Sequence, residues 1–493
     1  MWRLFGGMRL YTGLGVIHTF TPTLPCVLRT RLVPVLRWLA LASLLTLSAC
    51  NLGPRYRHPD IPAPSAWRGE EVEGAPAWPS SDWWRGFSSP QLDQLIEEAQ
   101  HTNDDIAAAV ARVREADAQA RIAGAPLLPA ISASGSATRE RELNLGAPGT
   151  LTANEFSPLL NATYAVDFWG KNRAALRSAE FAAAASRYDR VTVELTVMTS
   201  VASSYFQAIQ AHDRLTVARD NLASAERLLK GLRFEQTVGI VTALDVAQQE
   251  TTVAILNASI PPLQQQLMQS IDALAILVGK PPEQVQISTG TFADLEEPKV
   301  QPGLPSELLV RRPDVAEAEA QLMAANANIQ QARASFFPSI NLTADGGYAS
   351  TALSSLFNPA SRVFTLSGSL TQPLFEGGAL AGQYSYSKAR YAELLADYHK
   401  TVVSAFSNVE DALVALQQTA LQRERQEEAV AKARRAYEIT QLQLHAGVIN
   451  IFTVLNTETA LFTAEDALVQ VKYAHMAALI SLFNALGGGW QQA

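Results

Sequence analysis

Four segments of the chain alternate apolar with polar residues at a period of two. The first reads Ile131-Ser132-Ala133-Ser134, and the same alternation recurs near residues 160, 340 and 366. Successive side chains of a β-strand point to opposite faces of a sheet, so the pattern indicates strands with one apolar and one polar face. The predicted strands cover about 130–142, 156–168, 339–349 and 362–372. Such strands fit an outer-membrane barrel or a soluble sheet with one hydrated face.

A long helical stretch follows each predicted strand pair. From Lys171 to about Glu235 there is no proline, and a single helix of that length would extend roughly 100 Å. Apolar residues recur every seven positions in both halves, which is typical of a coiled-coil seam. These positions are Val201, Ala208, Leu215, Leu222 and Leu229, and then Val402, Val409, Leu416, Val430, Tyr437 and Leu444. We predict helical hairpins over 171–279 and 380–487, with Pro261-Pro262 breaking or kinking the return of the first.

The two halves of the chain repeat one another. Alignment places Asp105 on Asp314 and, further along, Gly239 on Gly447. The similarity extends over roughly two hundred residues, which is too long for a solenoid unit and indicates one duplicated domain plan. The predicted division is an N-terminal segment with an equatorial region (50–104), repeat 1 (105–290), a linker (291–303), repeat 2 (304–489) and a tail (490–493).

The N-terminal region has the pattern of an export signal. Three arginines precede the apolar run Trp38 to Leu47, which is followed by Leu47-Ser48-Ala49-Cys50. We predict a signal peptide over 1–49. The four residues Leu47-Ser48-Ala49-Cys50 resemble a bacterial lipobox, which implies a lipid attached to Cys50. The alternative is an ordinary signal peptide with a chance cysteine.

Composition narrows the possible chemistry. The net charge is −8 and no basic segment is concentrated, which argues against nucleic-acid binding. The histidines are scattered and no nucleophilic or phosphate-loop motif is present, so we expect no enzyme and no metal or cofactor site. No segment after Cys50 is apolar enough for a membrane-spanning helix. A membrane crossing would need a closed barrel of about eight strands or more, hence two or three copies of this four-stranded chain.

Several motifs carry a family resemblance. They are LPSELLVRRPDVAEAE at Leu304–Glu319, the turn Gly239–Thr242, and QPLFEGG at Gln372–Gly378. The chain resembles the TolC-like outer-membrane factors, in their lipidated NodT-type branch. The resemblance implies a mainly α protein with a membrane β-barrel portion: a homotrimer with a twelve-stranded barrel, a long periplasmic α-helical barrel and an equatorial region. It also implies an exit duct that works with a periplasmic adaptor and an inner-membrane transporter of the RND type.

The same resemblance suggests site residues at the helical tips. Phe452 and Asn456 resemble residues that close the channel, and Gly239, Thr242, Gly447 and Asn450 are candidates for contact with the adaptor. The alternatives are packing between helices for the first pair and helix capping for the other four. The chain has no acid between Gly447 and Thr457, so a ring of carboxylates at the gate is not expected.

Two other functions stay open from the sequence. A duct for secreted proteins would share the fold, and a periplasmic coiled-coil lipoprotein would share the helices. Repeated strand pairs are not needed by a coiled-coil spacer, which favours the channel. The predicted substrates are small molecules such as drugs.

Overall fold

The computed structural model describes residues 56–68, 78–143, 150–287, 290–300, 303 and 305–491, all within one compact unit, Asn51–Ala493. The predicted signal peptide and Cys50 lie outside these residues. The helices are α1 (Pro90–Thr102), α2 (Asp104–Gly124), α3 (Lys171–Thr237), α4 (Ala243–Leu277), α5 (Pro305–Leu308), α6 (Pro313–Ala334), α7 (Ala379–His445) and α8 (Ile451–Ala485). The strands are β1 (Ala130–Leu143), β2 (Thr150–Val166), β3 (Ser339–Tyr348) and β4 (Arg362–Thr371). Short 3₁₀ helices cover Trp83–Phe87, Ala125–Leu127, Pro282–Gln284, Phe292–Asp294, Leu353–Ser355 and Pro359–Ser361.

One order of elements occurs twice along the chain. A helix, two strands, a helix of 67 residues and a helix of 35 residues run from α2 to α4, and again from α6 to α8. At 1.5 Å per residue, each 67-residue helix extends about 100 Å. Each half therefore consists of a strand pair and a long helical hairpin.

The strands form one antiparallel sheet in the order β1-β2-β3-β4. Asn161 lies opposite both Ser132 and Asp345, and Thr343 lies opposite Ser367. Within the described chain, β1 and β4 each pair on one side only, so the sheet has two open edges.

The second strand differs from its predicted bounds of 156–168. It begins earlier, at Thr150, because its first residues pair with the far end of β1. It ends earlier, at Val166, because Asp167 leaves the sheet to start α3. The Asp167 carboxylate accepts hydrogen bonds from the backbone N–H groups of Asn172 and Arg173, each at 2.9 Å. Asp167 thus stabilises the N-terminus of α3 and does not extend the strand.

The predicted break at Pro261-Pro262 does not occur, because α4 runs through both prolines, and the alternative, a kink there, stays a prediction. Leu263 is buried against Leu215 and Ala218 of α3. This packing holds the helix in place although two backbone donors are missing. The hairpin therefore returns as one helix.

The heptad positions form the helix–helix contacts. Most of them are buried: Val201, Ala208, Leu215 and Leu229 on α3, and Val402, Val409, Val430 and Tyr437 on α7. Helix α3 packs on α4, α7 packs on α8, and α3 also contacts α8, which joins the two hairpins. Within the described residues, no helix has both the length and the apolar content needed to cross a membrane.

An aromatic core fastens the N-terminal segment to the helices. The rings of Trp83 and Phe483 stack with centroids 4.8 Å apart, and Phe87 meets Phe206 edge to face at 5.0 Å. Nearby, the buried Arg312 before α6 donates to the Ala485 carbonyl at 2.9 Å and pairs with Asp314. These residues hold the start of α6 against the end of α8.

Candidate functional site

The two faces of the sheet differ in chemistry. One face, called here the apolar face, carries large apolar side chains that are exposed in the single chain: Ile131, Leu160, Leu342, Phe364, Leu366 and Leu370. The opposite polar face is linked by side-chain hydrogen bonds, such as Ser136 to Ser157 at 2.7 Å and Asn161 to Ser134 at 2.8 Å. A contiguous exposed apolar surface of this kind marks contact with a membrane or with another protein.

Glycines in the left-handed region end both long helices. Gly239 has φ +79° and Gly447 has φ +69°, a conformation that costs a residue with a side chain about 1–2 kcal/mol. The next N–H groups close the helix ends, with Ile240 donating to the Glu235 carbonyl and Val448 to the Gln443 carbonyl, both at 2.9 Å. The two hairpins therefore turn with the same geometry.

The predicted tip residues Thr242 and Asn450 are helix N-caps. The Thr242 hydroxyl accepts a hydrogen bond from the Asp245 N–H at 3.3 Å, and the Asp245 carboxylate accepts one from the Thr242 N–H at 2.7 Å. The Asn450 side chain accepts from the Thr453 N–H at 3.3 Å. Capping thus accounts for both residue types, and adaptor contact stays a prediction.

Two aliphatic residues that sequence reasoning missed project from these tips. Ile240 is 72% exposed and Val448 is 70% exposed, each directly after its turn glycine. The sequence feature that could have identified them is a β-branched residue directly after the turn glycine in both repeats. An exposed aliphatic group on a rigid turn is a ready contact for another protein.

Phe452 and Asn456 lie one helical turn apart on the same face of α8. Phe452 is 44% exposed and Asn456 is also exposed, whereas Ile451 before them and Val454 and Leu455 between them are buried. Residues four apart on a helix share a face, so the two side chains point away from the core of their own hairpin. In the single chain neither side chain is buried, and packing between helices stays the alternative to a gate.

A buried carboxyl group joins the two hairpins at Glu458, two residues after Asn456 on α8. Glu458 is fully buried and accepts hydrogen bonds from the Tyr437 hydroxyl at 3.2 Å and from Gln249 Nε2 at 3.4 Å. Gln249, also fully buried, donates in addition to the Ala225 carbonyl at 2.9 Å. Burial raises the pKa of Glu458, and these hydrogen bonds oppose the rise only in part. At the offset that aligns Gly239 with Gly447, Glu458 corresponds to Glu250, but sequence reasoning assigned it no role.

The next question is whether the described side chains could bind a metal ion. Within residues 56–68, 78–143, 150–287, 290–300, 303 and 305–491, no group of three or more His, Cys, Asp or Glu side chains is placed to hold a metal ion. The predicted lipidation site Cys50 lies outside these residues.

A sheet with an exposed apolar face, continued by two long helical hairpins, defines an outer-membrane channel. The chain belongs to the outer membrane efflux protein family, whose sequence model matches residues 95–280 and 304–488. The predicted resemblance to TolC-like channels, the mainly α fold and the efflux function are thereby confirmed.

Relatives and solved structures agree with this placement. The pyoverdine export outer membrane protein OpmQ of Pseudomonas aeruginosa is 40% identical over 459 residues, which is 92% of this chain and 96% of OpmQ. The cation efflux system protein CusC of Escherichia coli is 31% identical over 451 residues, 91% of this chain and 97% of CusC. The outer-membrane channel OprN superposes with a TM-score of 0.85 at 25% identity, covering 90% of this chain and all of the OprN chain.

Proposed function

We propose that three copies of this chain form the exit duct of a tripartite pump that exports small molecules across the outer membrane. The observation that carries the proposal is the four-stranded sheet with an exposed apolar face and two open edges. Open edges are not tolerated in lipid, and bacterial barrels need about eight strands or more. Three copies supply twelve strands, and their six hairpins supply the wall of a periplasmic tube.

Lipidation at Cys50 would tether each protomer to the membrane. One acyl chain binds a membrane only weakly, whereas several chains on one assembly give stable anchoring. The anchor would assist assembly, because the strands themselves provide the membrane contact.

The gate of the proposed duct lies at the N-terminal end of α8. In a ring of three copies, Phe452 and Asn456 would face the axis, and three phenyl rings would form an apolar constriction. Such a constriction blocks ions by dewetting and needs no charged group. The exposure of both residues in the single chain supports this assignment.

The hairpin tips are the proposed contact with a periplasmic adaptor. Gly239 and Gly447 shape the turns, Thr242 and Asn450 fix the following helices, and Ile240 and Val448 would enter the interface. The adaptor would connect the duct to an inner-membrane transporter of the RND type, which supplies the energy.

The relatives indicate the substrate class. OpmQ is named for pyoverdine export and CusC for cation efflux, and another relative, TtgC of Pseudomonas putida, is named for toluene efflux. These cargoes are all small, which favours export of small molecules over secretion of proteins.

Accumulation of dyes and antibiotics in a deletion strain tests the proposal. We expect accumulation to rise on deletion and to return to normal with either the wild-type chain or Cys50→Ser. Rescue by the wild type alone would make the lipid essential for assembly. No change across a broad panel, in a strain lacking other outer-membrane channels, would contradict the proposal.

A further inference from the structure

The positively and negatively charged residues of the four strands lie on opposite faces of the sheet. Arg139, Arg141 and Arg362 lie on the apolar face, where Arg139 is opposite Asn154 and Arg362 is opposite Tyr348. The described acidic side chains lie on the polar face instead: Glu140, Glu155 and Asp345. The apolar face thus carries cations and, among the described side chains, no carboxylate.

Arg139 and Arg362 share one level along the strands, and Arg141 lies two residues further from the helices. Arg139 follows the helix-side end of β1, Ala130, by nine residues, and Arg362 precedes the helix-side end of β4, Thr371, by nine residues. Nine residues at about 3.3 Å each, in a strand tilted by about 40°, rise roughly 23 Å along the membrane normal. The apolar band of an outer-membrane barrel is about 25 Å tall, so these arginines mark its outer border.

The arginines also lie on the two edge strands. Arg139 and Arg141 belong to β1, and Arg362 belongs to β4. In the closed ring of the proposed function, β1 of one copy pairs with β4 of the next. Each seam would then gather three guanidinium groups, all of them exposed in the single chain. Arg141 Nε donates to the Thr150 hydroxyl at 3.0 Å.

We propose that these seams bind the phosphate groups of a phosphorylated glycolipid, such as lipopolysaccharide, in the outer leaflet. The guanidinium fork matches a phosphate with two parallel hydrogen bonds. An arginine at the lipid–water border has little cost of insertion, whereas the bilayer centre would cost about 2–4 kcal/mol. Glycolipid phosphates lie at this border, so three arginines there complete an anion site. The inference rests on the proposed function.

Titration of the purified, detergent-solubilised protein tests the site. The probes are fluorescent lipid A with two phosphates, the same lipid A after dephosphorylation, and phosphatidylglycerol. We expect wild type to prefer the bisphosphorylated form. The triple variant Arg139→Gln, Arg141→Gln, Arg362→Gln should bind it about tenfold more weakly and lose the preference.

Two controls separate this site from general charge effects. Glu140→Gln with Glu155→Gln changes the polar face of the same strands, and Arg425→Gln with Arg435→Gln removes exposed cations from α7; both should bind lipid A as wild type does. Unchanged binding by the triple arginine variant, or equal binding of phosphatidylglycerol by wild type, would overturn the inference.

Failure of the lipid site can be distinguished from failure of the proposed function. A wild-type protein that inserts as a trimer but binds both forms of lipid A equally contradicts only the lipid site. A protein that does not insert into a bilayer at all contradicts the proposed function as well.

Discussion

Gln249 of the first hairpin donates a hydrogen bond to Glu458 of the second at 3.4 Å, and both side chains are fully buried. Tyr437 of α7 donates a hydrogen bond to the same carboxyl group, so three helices take part in the contact. Gln249 Oε1 is a buried acceptor without a partner in the described chain. A movement of one hairpin against the other would separate these groups. The contact therefore couples the hairpins near the proposed gate.

Removal of the Glu458 carboxyl should weaken the joint between the hairpins. Glu458→Ala removes the acceptor of the Tyr437 hydroxyl and one of the two acceptors of Gln249 Nε2, which keeps its bond to the Ala225 carbonyl. A buried polar group that loses its partner costs about 1–3 kcal/mol. Glu458→Gln keeps an acceptor for Tyr437 and removes a buried ionisable group, so we expect it to match or exceed the wild-type midpoint of thermal unfolding at neutral pH.

The repeat provides a matched control at Glu250. This residue corresponds to Glu458 but forms an exposed ion pair with Arg233 at 2.7 Å. Exposed pairs contribute about 0–1 kcal/mol, so Glu250→Gln should leave the midpoint nearly unchanged. If Glu458→Ala behaved like Glu250→Gln, the buried contact would have no role in joining the hairpins.

A second, half-buried carboxyl predicts a pH dependence of stability. Burial, followed by the charges of Asp189 and Asp314, raises the pKa of Glu317 to about 7. An acid whose pKa is raised on folding favours the folded state below its unfolded pKa of about 4.5, and this contribution is lost as the pH rises to about 7. Thermal unfolding of Glu317→Gln at pH 5 and pH 8 measures the effect.

We expect Glu317→Gln to raise the unfolding midpoint more at pH 8 than at pH 5, by about 1–2 °C. Glu427→Gln, a change at an exposed position of α7, should give the same difference at both pH values. A shift of Glu317→Gln that does not depend on pH would show that the carboxyl titrates normally.

Local patterns made much of this fold predictable, since strand alternation and heptads depend on residues close in sequence. The bounds of β2 were missed because Asp167 can serve as a strand residue or as a helix cap, and only the structure decides. The possible helix break at Pro261-Pro262 does not occur because Leu263 packs on Leu215, which belongs to another helix. The Gln249–Glu458 contact joins residues 209 positions apart, and no local pattern encodes such a pair.

Truncation of the proposed gate should increase ion flow. Phe452→Ala removes the apolar side chain from the constriction, and we expect a severalfold higher single-channel conductance in planar bilayers. Leu244, which holds the corresponding position in the first repeat, is an exposed apolar control, and Leu244→Ala should conduct as wild type does. Equal conductance of the two variants would refute the gate at Phe452.

Charged residues placed at the hairpin tips should weaken binding of the adaptor without disturbing the turns. Ile240→Asp and Val448→Asp leave the glycines and both N-caps in place but remove two aliphatic contacts. Burial of one such side chain contributes about 1.5–3 kcal/mol, so each change should weaken adaptor binding roughly tenfold or more. Binding is measured by titration with the purified adaptor, and thermal unfolding checks that the tips are intact. Unaltered binding would leave capping as the sole role of these turns.

Disulfide cross-linking between the two edge strands tests most directly whether three copies close one duct. Ser132→Cys, Ser134→Cys or Ser136→Cys on β1 is combined with Ser367→Cys on β4, in a chain whose natural cysteines are only Cys26 and Cys50. Two cysteines on β1 alone serve as the control. We predict that one of these pairs oxidises in membranes to a covalent trimer and nothing larger. A ladder of higher species, a dimer, or no cross-link at any pair would contradict the trimeric duct.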